Sequence, residues 1–440
     1  MSGLKTAQIH APDVDVKAGM EVYLTRSRCL GGKIRQNVED FKVDEVYDNR
    51  FSATGKYTIV KVTKVNAETH HVVRDLSRRL GISQKRISWA GTKDKRAVTT
   101  QRMSIYDVEL KEPLTIPNVI VEPMGRADKP VVLGDLKGND FSMTIRCVEG
   151  SIEDVQVRIL AAVEEIHSEG GVPNFFGIQR FGSIRPVNQL VGKALLGGDM
   201  ESAVMTYMAM PFPDEPEAVK EARKFVWDTH DFKEGLKLLP LRLRYERAMM
   251  SHLVESPGDY DGALNVLSIN LQRLFVHAYQ SYLFNKMLSL RIKRGVPLSR
   301  GVDGDFVFLS EEDKARTVVP KNVERINGKI SEGRAFIQMP VPGYDTSISD
   351  GTIGEIEREV IESEGVVLNQ FKLECCPRLR SKGVMRNVVL PTKIEFNVSN
   401  DEVNKGFAKV ELRFYLQKGS YATSILREIM KMRPVNVVKI

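Results

Sequence analysis

The feature that most restricts how this chain can fold is a change of periodicity that later reverses. Tyr57 to Val65 alternates as a strand does, and Val72 to Leu80, following Thr69, has helical apolar spacing that Gly81 stops. Ile87 to Ala90 and Arg102 to Tyr106 read as short strands around a polar, glycine-containing turn, and Phe141 to Cys147 as another strand. Ser151 to Glu169 reads as a helix with Ser151 as its cap and Gly170-Gly171 at its end. From about Gly197 the patterns become longer and helical: Pro216 to Trp227, Ala263 to Ile292 and Thr352 to Glu364. After Pro391 strand alternation returns in Lys393 to Val398 and Lys409 to Leu416, before a last helix near Thr423 to Lys431. A chain whose end resembles its beginning more than its middle predicts one discontinuous domain, 1–196 with 391–440, interrupted by an insertion at 197–390. Its 440 residues also exceed what one core usually serves.

Composition removes several classes. With 42% apolar and 28% charged residues the mixture is that of a globular protein. No apolar run approaches the roughly 18 residues of a membrane span, and Met1 to Val16 lacks the order of a signal peptide, so a cytoplasmic protein without a membrane is expected. Cys29, Cys147, Cys375 and Cys376 form no CxxC pair, and the seven histidines form no HExxH or HxH spacing. Reduced thiols and no metal are therefore expected.

The net charge of +7 is concentrated rather than spread. Arg74 to Arg102 holds nine Lys or Arg against two Asp, a surplus equal to the whole net charge. A second, acid-free run from Cys375 to Ile394 carries Arg378, Arg380, Lys382, Arg386 and Lys393. Such clusters suit a polyanion, because neutralised phosphates release counterions; a merely solvated face is the alternative.

There is no G-x-x-x-x-G-K-[ST] loop, G-x-G-x-x-G fingerprint or G-x-S-x-G elbow, which argues against nucleotide hydrolysis, dinucleotide redox chemistry and the common serine hydrolases. Carboxylate chemistry remains. Ala90 to Arg96 (AGTKDKR) sets Asp94 among three cations, which favour its ionised form and so its use as base or nucleophile; the alternative is an ordinary turn aspartate. Asn174 to Gly182 (NFFGIQRFG) offers aromatics beside amides and Arg180, as a pocket for an extruded base requires, or else a buried aromatic cluster. Leu416 to Ser424 (LQKGSYATS) reads as a strand-to-helix turn in which a serine and a threonine can cap the last helix, with Tyr421 available as an aromatic wall.

Taken together, Asn37 to Glu45 (NVEDFKVDE), Ala90 to Gln101 (AGTKDKRAVTTQ), Leu136 to Phe141 (LKGNDF), Gly171 to Gly182 (GVPNFFGIQRFG) and Lys418 to Glu428 (KGSYATSILRE) resemble, in order, the motifs of the TruD family of pseudouridine synthases. The resemblance implies an α+β fold: a mixed-sheet catalytic domain, discontinuous in sequence, with a large inserted α/β domain. It implies a cofactor-independent isomerase acting on uridine in tRNA, typically uridine-13 of the D arm, and a monomer is expected. Asp94 then resembles the family's catalytic aspartate and Arg35 its basic partner. Phe41 and Phe176 resemble the aromatic walls of the uracil pocket, Asn174 its polar contact and Tyr421 the aromatic of the C-terminal motif. Lys93, Gln179 and Arg180, from the same motifs, complete the expected substrate-binding set. The reaction breaks the C1′–N1 bond, turns the freed uracil and joins C5 to C1′, with Asp94 attacking C1′ or removing a C2′ proton; both routes stay open. A non-catalytic tRNA-binding protein or RNA chaperone would use the same basic surfaces without Asp94. A hydrolase at the N-glycosidic bond would leave an abasic site.

Overall fold

The computed structural model describes residues 11–48, 51–52, 54–312 and 314–432. It divides into two compact units, one formed by Thr25–Val172 with Leu390–Met432 and the other by residues up to Leu24 with Pro173–Val389.

The first unit is discontinuous and is built on a nine-stranded mixed sheet. In chain order its strands are β1 (Phe41–Val46), β2 (Tyr57–Val65), β3 (Ile87–Trp89), β4 (Val98–Tyr106), β5 (Leu114–Ile116), β6 (Val119–Ala127), β7 (Gly138–Val148), β8 (Ile394–Asn400) and β9 (Ala408–Gln417). Their spatial order is β8-β9-β7-β1-β4-β2-β6-β5, with β3 also on β4. The β1–β4 pair is parallel and the other pairs are antiparallel. The C-terminal strands enter this sheet through β9 on β7, which places the returning alternation beside the N-terminal strands.

Three helices cover one face of the sheet: α1 (Thr69–Leu80), α2 (Ile152–Ser168) and α3 (Ala422–Met430). Gly81, at φ 65°, closes α1, and Ser151 caps α2 by accepting from Asp154 N at 3.2 Å. Val155, Ile159, Val163 and Ile166 of α2 and Ile425, Leu426 and Ile429 of α3 pack on Val43, Phe141, Met143, Val410, Leu412 and Phe414. Val72, Val73 and Leu76 of α1 pack on Val60, Val62, Met103, Ile105, Val119 and Val121. The register puts both apolar patches on the same face, since Val43 pairs with Thr99 and Phe141, while Val60 pairs with Met103 two pleats further along β4. On that face, between the patches, the inward positions are polar: Glu45, Lys64, Thr99 and Gln101, all buried.

The second unit is mainly helical. Its core is organised by the 25-residue helix Ile269–Lys293, whose Phe275, Val276, Tyr279, Leu283, Phe284, Met287 and Leu288 are buried. A four-stranded antiparallel sheet, Lys314–Thr317, Phe306–Leu309, Ala335–Val341 and Val384–Asn387 in spatial order, belongs to the same unit. This unit takes in Pro173–Val389, so the expected boundary at 197 falls inside it and Leu390 outside it; Phe175, Ile178 and Phe181 share its core with Val191 and Phe284. The helical run expected from Ala263 to Ile292 is two helices, Tyr260–Asn265 and Ile269–Lys293; Ser268 starts the second by accepting from Leu271 N at 3.3 Å. Among the described residues no helix is long and apolar enough to cross a membrane.

Candidate active site

Asp94 lies in the loop between β3 and β4, and that loop is fastened to the polar strip on the covered face of the sheet. Gln101 Nε2 donates to the Gly91 carbonyl at 3.1 Å, and Lys93 N donates to Thr69 Oγ1, in the first turn of α1, at 3.2 Å. Lys64 Nζ donates to the carbonyl of Asp94 at 2.6 Å and reaches that of Lys93 at 3.4 Å. The Lys93 ammonium turns inward onto Glu45 Oε2 at 2.6 Å, and Glu45 Oε1 accepts from Arg102 N at 3.2 Å. Main-chain bonds close both ends, Gly134 N to Ala90 O at 2.7 Å and Asn66 N to Ala97 O at 3.0 Å. The backbone is held from below, and the Asp94 side chain is left half exposed, at 47%.

Its partner comes from the segment before β1. Arg35 Nη2 donates to Asp94 Oδ1 at 3.0 Å, and the Arg35 side chain is only 12% exposed. Arg35 has a left-handed backbone, φ 56°, which costs a non-glycine residue about 1–2 kcal/mol and persists only where the surroundings impose it. They do so on both sides. Lys33 and Arg146 exchange main-chain bonds at 2.7 and 2.8 Å, and Gly32, at φ 84°, lies where a Cβ would meet the Arg146 carbonyl at 2.7 Å. After Arg35, Asn37 N donates to Asp40 Oδ2 at 2.7 Å. Asp40 Oδ1 accepts from Arg146 Nε at 2.7 Å, and Arg146 Nη1 donates to Asp401 at 3.0 Å and Glu402 at 3.1 Å. Burial pushes the Asp401 carboxyl up, but donors from Cys147 N, the Asn404 side chain and the backbone of Val403 and Asn404 outweigh it and hold it well below the usual carboxylate range.

Phe41, expected as an aromatic wall of the uracil pocket, is buried: Phe141 meets it edge-on at 6.4 Å and the Arg35 guanidinium lies 3.9 Å over its ring. In this structure Phe41 therefore supports the guanidinium that pairs with Asp94. Lys93, expected to meet substrate, has its ammonium buried against Glu45 instead. Tyr421 is 47% exposed at the start of α3. The capping expected from the neighbouring serine and threonine is absent there: Tyr421 itself is the cap residue, without a side-chain cap bond, and its carbonyl accepts from Ser424 N at 3.1 Å.

The remaining expected residues belong to the other unit. Asn174 is buried; its Nδ2 donates to the Asn387 carbonyl at 2.8 Å, and Arg386 donates to its Oδ1 and, at 3.0 Å, to its main-chain carbonyl. Arg386 also lies 4.0 Å over the Phe176 ring, with Arg180 at 5.5 Å and Phe284 edge-on at 5.6 Å. Phe176 N donates to Asn285 Oδ1 at 2.9 Å. Gln179 is exposed. Burial, followed by the charges of Arg180 and Arg273, lowers the pKa of His277 nearby.

Three participants were not singled out from sequence as site residues. Glu45 and Lys64 stand at inward positions of alternating strands, 41-43-45 and 60-62-64, where the alternation calls for apolar side chains; that mismatch was the available signal. Arg386 was visible only as one cation in a basic run. The charge surplus of Arg74 to Arg102 is also partly internal. Lys93 pairs with Glu45, and buried Arg102 donates to Asp48 O at 2.9 Å and to Asp135, leaving Arg78, Arg79, Lys85, Lys95 and Arg96 exposed.

A mixed sheet with helices on one face, and a carboxylate–guanidinium pair on a fastened loop, define an α+β protein with a built acid site. The family model for tRNA pseudouridine synthase D (TruD) matches residues 17–429. A Methanosarcina mazei protein named "Probable tRNA pseudouridine synthase D" is 48% identical over 437 residues, 98% of this chain and 100% of that one. Proteins of the same name from Archaeoglobus fulgidus and Halobacterium salinarum are 37% and 36% identical, covering 95% and 97% of this chain and 99% of their own lengths. The crystal structure of a Methanosarcina mazei TruD protein superposes with a TM-score of 0.93 at 48% identity, covering 97% of this chain and 100% of that one. This chain belongs to the tRNA pseudouridine synthase D family.

Proposed function

We propose that this protein isomerises uridine to pseudouridine in tRNA, at uridine-13, with Asp94 as the reacting acid and Arg35 as the group that orients it. The observation that carries the reading is the 3.0 Å pair between a half-exposed Asp94 and a largely buried Arg35, on a loop whose backbone is otherwise immobilised. A preorganised charge of this kind pays no reorganisation cost when the substrate arrives.

The target uridine leaves its stack at a cost of a few kcal/mol. The Asp94 carboxylate then attacks C1′ to form a covalent sugar intermediate, or takes the C2′ proton to form a glycal. In both routes the C1′–N1 bond breaks, the uracil turns, and C5 bonds to C1′; the Asp94–C1′ ester bond breaks as C5 attacks in the first route, Asp94 returns the proton to C2′ in the second, and in both the C5 proton is lost and N1 gains one. Product and substrate are isomers, so the chemistry consumes no cofactor. Phe176, Asn174, Tyr421, Gln179 and Arg180 are assigned to substrate binding, with Arg386 bracing Phe176 and Asn174. The exposed cations Arg78, Arg79, Lys85, Lys95 and Arg96 fit a phosphate footprint. We place the protein in the cytoplasm as a monomer acting without a metal.

The test is Asp94→Asn, which keeps shape and removes charge. Loss of pseudouridine in mapped tRNA with tRNA binding retained is expected; an active variant would remove Asp94 from this role. Mapping with the wild type shows whether position 13 is the target, and an RNA of reduced mass would instead indicate base release.

A further inference from the structure

We propose that Lys64 is a positioning residue for the reaction: its buried ammonium fixes the main chain at Asp94 and thereby the direction in which the carboxylate leaves the loop. The proposal rests on Asp94 being the reacting acid.

Lysine is strongly hydrated and is rarely buried without a carboxylate beside it. Lys64 has 0% exposure, on a strand whose inward neighbours are Val60 and Val62. A valine there would fill the strand at no desolvation cost. The only nearby carboxylate on the strip, Glu45, is engaged by Lys93. Lys64 instead donates to two consecutive carbonyls, those of Lys93 and Asp94. An apolar residue at 64 leaves the Asp94 peptide without its donor, and the carboxylate is attached to that peptide's own Cα.

The charged groups facing Lys64 come from this loop. Asp94 favours the ammonium and Lys93 opposes it, while Arg35 and Glu45 lie one partner further away; the adjoining strand contributes Thr99 and α1 contributes Thr69. Burial, the largest influence, brings the Lys64 pKa down to about 8. Because this lies below the unfolded value, the unfolded chain binds more protons between about pH 8 and pH 10, so this titration stabilises the fold as pH rises. A loss of rate through that range is therefore not explained by unfolding at Lys64.

The experiment measures isomerisation of tRNA between about pH 7 and pH 9 for the full-length wild type, Lys64→Met, Lys64→Arg and Asp94→Asn, with thermal melts alongside. Lys64→Met is expected to lose about 100-fold in kcat, the effect of roughly 1 Å of misplacement, with KM unchanged. Wild-type kcat should fall through about pH 8 while KM and melting temperature hold, Lys64→Met should lack that step, and Lys64→Arg should recover rate and move the step upward. Wild-type kcat in Lys64→Met, or the same alkaline profile in both proteins, overturns the proposal. If Lys64→Met does not fold, Lys64→Gln decides, because its shorter amide side chain cannot reach both carbonyls, and a wild-type kcat in that variant overturns the proposal. An inactive Asp94→Asn beside a fully active Lys64→Met defeats only the role of Lys64; an active Asp94→Asn defeats the active-site reading itself.

Discussion

Glu45 and Lys93 form an ion pair 2.6 Å long with side-chain exposures of 0% and 7%, so the residue next to the candidate catalytic acid is anchored to strand β1 and not to solvent. Removing one partner strands the other charge in a dry site. Glu45→Gln is expected to destabilise the protein by about 3–5 kcal/mol, whereas the double change Glu45→Gln with Lys93→Met recovers most of that loss. Thermal or urea unfolding of the three proteins checks this, and an unchanged midpoint in Glu45→Gln would contradict it.

Arg35 makes two contacts with one group, an ion pair to Asp94 and a face-on stack over Phe41. Lysine can supply the charge but not the planar fork. Arg35→Lys should therefore retain partial activity and Arg35→Met should lose about 100-fold in kcat, both with little change in tRNA affinity. Single-turnover kinetics separates the two, and an Arg35→Met protein with wild-type kcat refutes the assignment.

Arg386 ties Phe176 to Asn174, stacking on one and hydrogen bonding to the other. Arg386→Met should leave the Asn174 oxygens without donors and release the Phe176 ring, so it is expected to reduce kcat/KM about as much as Phe176→Ala, and the double change should add little to either. Additive losses would show that the two side chains act separately.

The Arg146 cluster behind Arg35 should show in the acid limb of stability. The folded Asp401 carboxyl is held below its unfolded value of about 3.9, so its contribution is complete above that pH and is lost as pH falls through the lower, folded value. Asp401→Asn should be less stable at pH 7 and lose less between about pH 5 and pH 2 than the wild type. Urea midpoints across that range measure it, and parallel acid limbs would rule out Asp401 as a source of the pH dependence.

The exposed cations of the first basic segment predict a salt-dependent tRNA affinity. Changing Arg78 and Lys95 singly to Gln should each lower the slope of log affinity against log salt by about 1 while leaving isomerisation at saturating tRNA intact. Filter binding at several salt concentrations checks this, and an unchanged slope removes that residue from the footprint.

Local periodicity was enough to place the elements around Asp94 and the two ends of the discontinuous sheet, but not β1, β5 or β6. Val72 to Leu80, Ser151 to Glu169 and the strands on either side of Asp94 follow from apolar spacing and caps, because those signals act within a few residues. The return of alternation after Pro391 foretold a discontinuous sheet, and the ordered motifs supplied the family. The sequence could not show that Lys93 points inward, that Arg35 covers Phe41, or that Asn174 is engaged by Arg386 from 212 residues away. Those choices were made by register and packing. Once β1, β2 and β4 align, their inward positions bring Glu45, Lys64 and Gln101 beneath one loop, and a buried polar group must then find its partner wherever the fold has placed one. Residue types and spacings fixed which groups were present and which segments fold locally; long-range strand pairing decided which charge meets which, because burial makes an unpaired charge too costly to keep.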